Sequence, residues 1–509
     1  MVKMKIGFDN EKYLKQQTAA ILDRVKKFDN KLYLEFGGKL CFDYHAARVL
    51  PGYDPNVKIR LLQELKDKID IILCIYAGDI EKGRIRGDFG ITYDIATLKL
   101  IDDLRKRGLD ALAVLITRFN SQPAAAIFKN KLKRRGIKVY THGIIKGYPA
   151  DIELAVSKEG FGKNEYIETK KPIVIVTGPG PGSGKMATCF SQLYHDHKRD
   201  INSGYAKFET FPIWNLPLNH PVNKAYEAAT ADIQDFNLVD PFHLSAYKET
   251  VVNYNRDVEG FPLLVRILKK IIGEESNLPV YKSPTDMGVN RAGFGIVDDE
   301  VVKEASKQEV IRRYFRYNCE YMQGIENEKT VERVKGLMEE LNLKPEDRCV
   351  VTPARKAAEE AELKGKGNKG IFCGAAIELP DGRIVTGKNS PLMHAASSLI
   401  INTIKTLANI PDEILLFSPN LVNYIAKLKE DILGAESESL SLDETLTALS
   451  ISAATNHTSE VAIRELRKLS GCEVHMTHIP TPGDEAGLKR LGVNLTTDAI
   501  FSSANLFIT

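Results

Sequence analysis

The chain has 509 residues, of which 43% are hydrophobic and 27% charged, and its formal net charge is +3. This length predicts two to four domains, and the composition is that of an ordinary globular protein. Because lysine and arginine are interleaved with acidic residues and the net charge is small, we expect no nucleic acid and no anionic membrane as a partner.

The cysteines and the N-terminal segment bear on the compartment. Seven cysteines are widely spaced and form no Cys-x-x-Cys pair, which favours a reducing environment over a disulfide framework or a zinc site. The N-terminal segment has no apolar signal core, and no apolar run approaches the ~18 residues that cross a bilayer. We therefore expect a cytoplasmic protein without zinc.

The N-terminal half alternates segments typical of helices and of buried strands. Predicted helices cover roughly 13–27, 57–67, 94–107 and 122–135. The predicted strands have the sequences KLYLEFGGKL, DIILCIYAGD, LDALAVLITRFN, GIKVYTHG and PIVIVTG. Strands and helices that alternate over short connections predict a mostly parallel, doubly wound α/β sheet with helices on its faces.

In such sheets, ligands bind outside the carboxyl ends of the strands. That rule brings five loops to one edge, at 37–48, 78–94, 117–120, 142–148 and 178–185. They contain His45, Asp88 and Arg118, which we regard as candidates for the acceptor side of a reaction.

The most informative stretch reads KPIVIVTGPGPGSGKMATC, from Lys171 to Cys189. An apolar, β-branched run leads into a glycine-rich loop and then into a predicted helix over 184–199. A strand, a glycine loop and a helix start together present backbone N–H groups to a phosphate. The predicted ligand-binding residues are Gly178, Gly180, Gly182, Ser183, Gly184, Lys185 and Thr188.

This loop departs from the standard phosphate loop, G-x-x-x-x-G-K-[ST]. The GK pair is present, but the first glycine is one position out, and Met186 replaces the hydroxyl that normally binds Mg²⁺. Ser183 or Thr188 would have to supply that hydroxyl, or phosphate, water and a carboxylate would hold the metal. Pro179 and Pro181 remove two backbone donors and stiffen the loop.

Three interpretations of the loop remain open. It is a tight turn without a ligand, the pyrophosphate loop of a dinucleotide-binding protein, or a loop for a nucleoside triphosphate or another phosphate. A dinucleotide loop requires G-x-G-x-x-G, whereas this one reads G-x-G-x-G-x-G and is followed by a lysine. We therefore favour the third interpretation.

Beyond the loop, a predicted helix over 221–234 leads to an apolar run that ends at Asp240, where a magnesium-holding carboxylate could lie. The polar, glycine-rich stretch 282–291 could line a site or cap the helices that follow. Residues 299–342 predict two or three charged amphipathic helices, which could form a dimer interface or a domain interface. We expect a homo-oligomer. We place a linker at 355–370 because this segment is small, charged and glycine-containing.

The C-terminal part returns to an α/β pattern. It begins with a predicted hairpin, CGAAIELPDGRIVTGKNS, and continues with predicted strands EILLF, CEVHMTH and VNLTTD between helices. We divide the chain into a phosphate-loop α/β domain (1–290), a helical module (291–345) and a smaller three-layer α/β domain (346–509).

The blocks LEFGGKL, RGDFGITYD, VTGPGPGSGKMATC, SPTDMGVNRAGFGI and PDGRIVTGKNS carry a resemblance over nearly the whole chain. The chain resembles an uncharacterised bacterial family of proteins of about this length, defined by a domain of unknown function. The resemblance implies a phosphate-loop-like first half, a helical middle and a C-terminal α/β domain, but no activity.

The C-terminal hairpin and the helix near His394 are similar to a cytidine-deaminase architecture. The departures concern the chemistry: Ala396 stands where a glutamate is needed, and the stretch from Pro419 to Asn423 offers no cysteines. A zinc-activated water needs three ligands and a proton shuttle. The resemblance therefore implies a domain that binds a small molecule or mediates assembly.

Two classes of function follow. The first is an enzyme that binds ATP or another nucleotide with Mg²⁺ and transfers or hydrolyses a phosphoryl group. Lys185 would neutralise phosphate charge, Asp240 would face the metal, and Arg118, His45 or Asp88 would lie on the acceptor side. The second is a non-catalytic protein that senses a phosphorylated metabolite. A dinucleotide-dependent enzyme is a further alternative.

Overall fold

The computed structural model describes residues 5–29, 31–86, 90–273, 280–435 and 437–503. The chain forms two compact units, Lys5–Ser306 and a second unit from Lys307 onward. The finer division into three parts stays a prediction. No helix in the described residues is both long and apolar enough to cross a membrane.

The first unit consists of helices and short strands in alternation. Its helices are α1 (Asn10–Lys26), α2 (Tyr44–Val49), α3 (Val57–Glu64), α4 (Ala77–Glu81), α5 (Tyr93–Arg105), α6 (Pro123–Arg134), α7 (Ile152–Ala155), α8 (Lys185–His197), α9 (Pro221–Ala229), α10 (Pro241–Tyr247), α11 (Asn255–Ile272), α12 (Pro284–Met287) and α13 (Asp299–Met322), which ends beyond the boundary. Its strands are β1 (Leu32–Phe36), β2 (Ile69–Tyr76), β3 (Ile85–Arg86), β4 (Ile91–Thr92), β5 (Ala113–Thr117), β6 (Val139–Thr141), β7 (Ile173–Thr177), β8 (Gly204–Phe208), β9 (Asn237–Val239) and β10 (Val252–Tyr254).

Six of these strands form one sheet in the order β6-β5-β2-β7-β1-β8, and every pairing is parallel. The predicted parallel α/β sheet is therefore confirmed. All residues of β1, β5, β7 and β8 are buried. This is why β5 and β7 read as continuous apolar runs, and why β1 and β8 carry one charged residue each rather than an alternating pattern. Since all six strands point the same way, the loops that follow them meet at one edge.

The second unit has a smaller sheet and more helix. Its helices are α14 (Glu328–Glu340), α15 (Val351–Leu363), α16 (Ala395–Ala408), α17 (Pro419–Lys427), α18 (Leu442–Ala453), α19 (His457–Glu465) and α20 (Pro482–Leu491). Its strands are β11 (Gly374–Glu378), β12 (Ile384–Lys388), β13 (Glu473–Met476) and β14 (Asn494–Thr497), in the order β12-β11-β13-β14. Strand β11 is antiparallel to both neighbours, whereas β13 and β14 are parallel.

A buried arginine fixes the start of α15 to this smaller sheet. Arg348 is 1% exposed. It donates hydrogen bonds to Thr496 Oγ1 at 2.9 Å and to the Asn494 carbonyl at 2.7 Å, and it forms an ion pair with Glu473. Arg312 also donates to the Glu473 carboxylate. The charges are thus paired inside the unit, as buried charges must be.

Two predictions for the second unit are wrong. Residues 413–417, predicted as a strand, form a loop before α17. Leu416 and Phe417 are buried against a helical cluster, so helices rather than a neighbouring strand satisfy their apolar character. The predicted linker 355–370 is mostly helix α15, since its alanine, glutamate and lysine residues are strong helix formers.

Candidate functional site

The glycine-rich loop, 178–184, joins buried β7 to α8, as the sequence predicts. Gly184 is the N-cap of α8 in a left-handed conformation, and no side chain of the described residues caps the helix. The N–H groups of the first turn, starting at Lys185, therefore lack an intrahelical acceptor. They add to the positive end of the helix dipole, so the helix start favours an anion.

The two hydroxyls considered for Mg²⁺ have different surroundings. Thr188 is fully buried. Its Oγ1 donates to the Gly184 carbonyl at 2.9 Å and lies 3.4 Å from Cys74 Sγ. Ser183 is 3% exposed, and its Oγ has no hydrogen-bond partner within the described part of the chain. An unsatisfied buried hydroxyl costs about 1–3 kcal/mol of stability. Of the two hydroxyls, that of Ser183 is therefore the one that can still form a hydrogen bond with a ligand.

The loop after β5 supports the glycine loop from the far side of β2. Thr117 Oγ1 donates to the Ser183 carbonyl at 2.8 Å. Arg118 donates to the Gly182 carbonyl, and its guanidinium lies 3.4 Å from the centroid of the Tyr76 ring. The structure thus brings Arg118 to the glycine loop that precedes Lys185, although the two residues are far apart in the sequence.

Gly184 is required by both its conformation and its neighbour. Its φ is +89°, and a Cβ there would lie 2.9 Å from the Thr117 side chain. We expect Gly184→Ala to cost about 2–3 kcal/mol, from the left-handed conformation and the clash together. Gly108→Ala is the matched control, because Gly108 also has a positive φ but open space around it. It should cost only about 1 kcal/mol. Urea unfolding measures both, and equal costs would contradict a tight contact with Thr117.

Two further residues, His45 and Asp88, are predicted for the acceptor side of the reaction. His45 is half-buried in α2, with its ring 5.4 Å from that of Phe211. Asp88 lies outside the described residues. Their catalytic roles stay predictions.

Asp240 is engaged as a helix cap. Its Oδ1 accepts hydrogen bonds from the N–H groups of Phe242 and His243, both at 3.0 Å. Its Oδ2 accepts from Thr285 Oγ1 at 2.7 Å. Both oxygens hold α10 and α12 in place, and a metal at Asp240 would compete with these bonds.

A charged cluster at the end of β8 went unnoticed in the sequence. Lys207 donates to Asp257 Oδ1 at 2.5 Å and to Tyr254 Oη at 2.7 Å. Tyr254 in turn donates to Glu209 Oε1 at 3.2 Å. The sequence does show Lys207 and Glu209, two charged residues two positions apart, at the end of an otherwise apolar strand. Asp257 could not be connected to them, because only the fold brings it near.

The Glu209 carboxyl has an unusual protonation equilibrium. Burial raises its pKa to about 7; Lys207 lowers it, Asp257 and Glu35 raise it, and Lys185 lowers it again. Lys185 is thus close enough to Glu209 to affect its charge. A carboxyl with such a pKa exchanges a proton near neutral pH, as a general acid or base must.

This shift predicts a pH-dependent stability. The pKa of Glu209 is 4.5 in the unfolded chain and about 7 in the folded protein, so between these pH values the folded state binds more protons than the unfolded state. The contribution of Glu209 to the free energy of unfolding is therefore fully present below pH 4.5 and is lost as the pH rises through 7. We expect the wild type to lose about 1–3 kcal/mol relative to Glu209→Gln between pH 4.5 and 8. Urea unfolding at the two pH values checks this, with Glu259→Gln, at an exposed position of α11, as the control; a pH-independent difference would refute it.

In the second unit, the residues that resemble the deaminase motif serve the fold. His394 is the N-cap of α16, and its Nδ1 lies 2.8 Å from Asp484 Oδ2. Ala396 is fully buried. Among the described residues, no group of three or more His, Cys, Asp or Glu residues is placed to hold a metal.

Together, the fold and the site define an α/β protein with one large parallel sheet, a glycine loop and a charged cluster at the carboxyl edge. Residues 6–342 match the family described as "Domain of unknown function DUF1846, N-terminal", and residues 346–507 match "Domain of unknown function DUF1846, C-terminal". The chain belongs to this family, which confirms the resemblance inferred from its sequence blocks.

Full-length relatives agree with this assignment. The chain is 58% identical over 505 residues to a "UPF0371 protein" of Clostridium botulinum (Type A), with 99% of each chain covered. It is 56% identical over 505 residues to a "UPF0371 protein" of Clostridium tetani, again with 99% of each chain covered. Function must therefore be argued from the site.

Proposed function

We propose that the chain binds a nucleotide or another phosphorylated metabolite at residues 178–188 and transfers or hydrolyses a phosphoryl group. The observation that carries this proposal is the uncapped N-terminus of α8, which follows a glycine loop and begins with Lys185. Backbone N–H groups and a lysine at one helix start are suited to bind phosphate oxygens.

Each group of the loop has a role in this proposal. Lys185 neutralises charge on the terminal phosphates, and the first-turn amides bind their oxygens. Ser183, whose buried Oγ has no hydrogen-bond partner among the described residues, offers its hydroxyl to a phosphate oxygen or to a water of Mg²⁺. Arg118 holds the loop through the Gly182 carbonyl. Phosphoryl transfer asks mainly for positioning and charge stabilisation, which these groups supply.

A cleft beside the loop suits the rest of a nucleotide. It is lined by Gly38, Phe42, Lys99, Leu100 and Pro179, among others. We assign the nucleoside to this cleft because it borders the first residues of the glycine loop.

The second candidate function, a non-catalytic metabolite sensor, is favoured by one observation. Met186 has no oxygen for Mg²⁺, and Thr188 gives its proton to the Gly184 carbonyl. A loop that binds phosphate without a metal is sufficient for sensing.

Calorimetric titration of the full chain with ATP, GTP and NAD, each with and without Mg²⁺, tests the proposal. We expect saturable binding of a nucleoside triphosphate that Mg²⁺ strengthens, together with phosphate release or transfer. Binding that is independent of Mg²⁺ and without turnover would favour the sensor, and preferential binding of NAD would favour a dinucleotide-dependent enzyme. If no phosphate-bearing ligand binds, the proposal is wrong.

A further inference from the structure

A second cleft opens at the same edge of the sheet, on the side of β8. It has an empty volume of about 410 Å³. Its floor is the charged cluster of Lys207, Glu209 and Asp257, and its walls include Trp214 and Asn253. Four of its lining residues, Pro284, Thr285, Gly288 and Asn290, lie in the stretch 282–291, for which the sequence predicts either a site lining or a helix cap. The others come from β8, β10, α11 and the loops between them, and the sequence pattern does not connect them.

The position of Glu209 connects this cleft to the glycine loop. Strand β1 lies between β7 and β8 in the sheet, so the ends of β7 and β8 are about 10 Å apart. A Cβ at position 37 would lie 2.5 Å from Glu209 Cγ. The Glu209 side chain therefore lies over the end of β1, between the cleft and the loop that carries Lys185.

The lining of the cleft indicates the chemistry of its ligand. One lysine stands against two carboxyl groups, so the floor offers no excess of positive charge for a phosphate. Tyr254 and Asn253 add groups that donate and accept hydrogen bonds, and the half-buried Trp214 offers an aromatic surface. Carboxylates and amides that bind hydroxyl groups, beside an aromatic ring that covers C–H groups, fit a neutral polyhydroxylated molecule.

We propose that this cleft binds a neutral polyhydroxylated small molecule, such as a sugar or a sugar alcohol, with Glu209 as the base for one of its hydroxyl groups. The catalytic part of this inference rests on the proposed phosphoryl transfer, whereas the binding part does not.

In the transfer, the hydroxyl proton passes to a carboxylate oxygen of Glu209. The acceptor oxygen forms a bond to the terminal phosphorus of the nucleoside triphosphate at the glycine loop. The bond between that phosphorus and its bridging oxygen breaks, and the nucleoside diphosphate leaves with the electron pair. Tyr254 and Lys207 position Glu209 through the hydrogen bonds that join the three side chains.

The chain's only tryptophan provides a site-specific test. Trp214 is the single tryptophan of the sequence and lines this cleft, so its fluorescence reports directly on occupancy. The full chain is titrated, without nucleotide, with a panel of neutral monosaccharides, sugar alcohols and inositols, and with amino acids for comparison. We expect a saturable change with at least one polyhydroxylated compound and none with the amino acids.

Two variants and one structure decide the outcome. At pH 8, above the Glu209 pKa of about 7, Glu209→Gln should weaken binding of that compound about tenfold or more, because a hydrogen bond to a charged acceptor is lost. Trp214→Phe should remove the fluorescence signal but retain binding by calorimetry. If Glu209→Gln does not fold, a crystal of the wild type soaked in the compound replaces it, and density on Glu209 and Asp257 supports the proposal.

Three results would overturn the inference: no saturable response to any polyhydroxylated compound, unchanged affinity in Glu209→Gln, or density only outside the cleft. Because nucleotide is absent from these titrations, a failure of nucleotide binding leaves them interpretable. Sugar binding without nucleotide binding would reject the proposed function and retain the cleft. Where turnover is measurable, Glu209→Gln should lower kcat about 10²- to 10⁴-fold with little change in nucleotide affinity.

Discussion

Replacing Lys185 with alanine should weaken the binding of a nucleoside triphosphate about 10- to 100-fold. Lys185 is the first residue of α8 and directly follows the glycine loop, where it adds a full charge to the partial charge of the helix start. A hydrogen bond to a charged group contributes about 1.5–3 kcal/mol, and about 1.4 kcal/mol corresponds to tenfold in affinity. Calorimetric titration of wild type and variant measures the difference.

Lys198→Ala is the matched control for this change. Lys198 is the C-cap of the same helix, so its replacement removes the same charge at the opposite end of α8. Its binding of the nucleotide should stay within about twofold of wild type, because long-range charge effects are screened by salt. If both variants bind as the wild type does, the glycine loop does not hold the phosphate.

Replacing Arg348 with alanine should destabilise the second unit by about 3–5 kcal/mol. The guanidinium is almost entirely buried and pairs with Glu473. Its loss leaves two acceptors, Thr496 Oγ1 and the Asn494 carbonyl, without a donor. The Glu473 carboxylate keeps its hydrogen bonds from Arg312, so the cost comes mainly from the two unsatisfied acceptors and from the space that the buried side chain leaves. Urea unfolding followed by circular dichroism measures the loss.

Two further variants separate the buried charge from simple truncation. Arg383→Ala removes an exposed partner of Asp381, whose side chains are 53% and 45% exposed, and should cost less than about 1 kcal/mol. Arg348→Met removes the charge and the donors but keeps most of the side-chain volume, so it should cost less than Arg348→Ala. If the two variants are equally unstable, the penalty comes from the lost hydrogen bonds and charge and not from lost packing.

The sheet of the first unit was predictable because its strands are buried on both faces. Runs such as IVIVT at β7 stand out from the amphipathic helices around them, and their order fixes a parallel α/β arrangement. The glycine loop was predictable for a similar local reason, since strand, glycines and lysine are contiguous. Helix α15 was not predicted, because Gly365 and Gly367 are typical of a linker and follow directly on its helix-forming residues.

The cluster at β8 could not be predicted, because its geometry depends on the fold. Asp257 lies 50 positions from Lys207 in the sequence, yet the two side chains are in hydrogen-bond contact. Asp240 shows the opposite case. Its place after an apolar run suggested a metal ligand, but the same place is a helix N-cap, and the fold uses both of its oxygens. Sequence position alone does not separate these two roles.

A crystal structure with a non-hydrolysable ATP analogue and Mg²⁺ shows whether the loop after β7 binds phosphate. We expect phosphate oxygens about 2.7–3.2 Å from the backbone nitrogens of Ser183 to Met186 and from Lys185 Nζ. An analogue bound elsewhere, with no phosphate at this helix start, would contradict it.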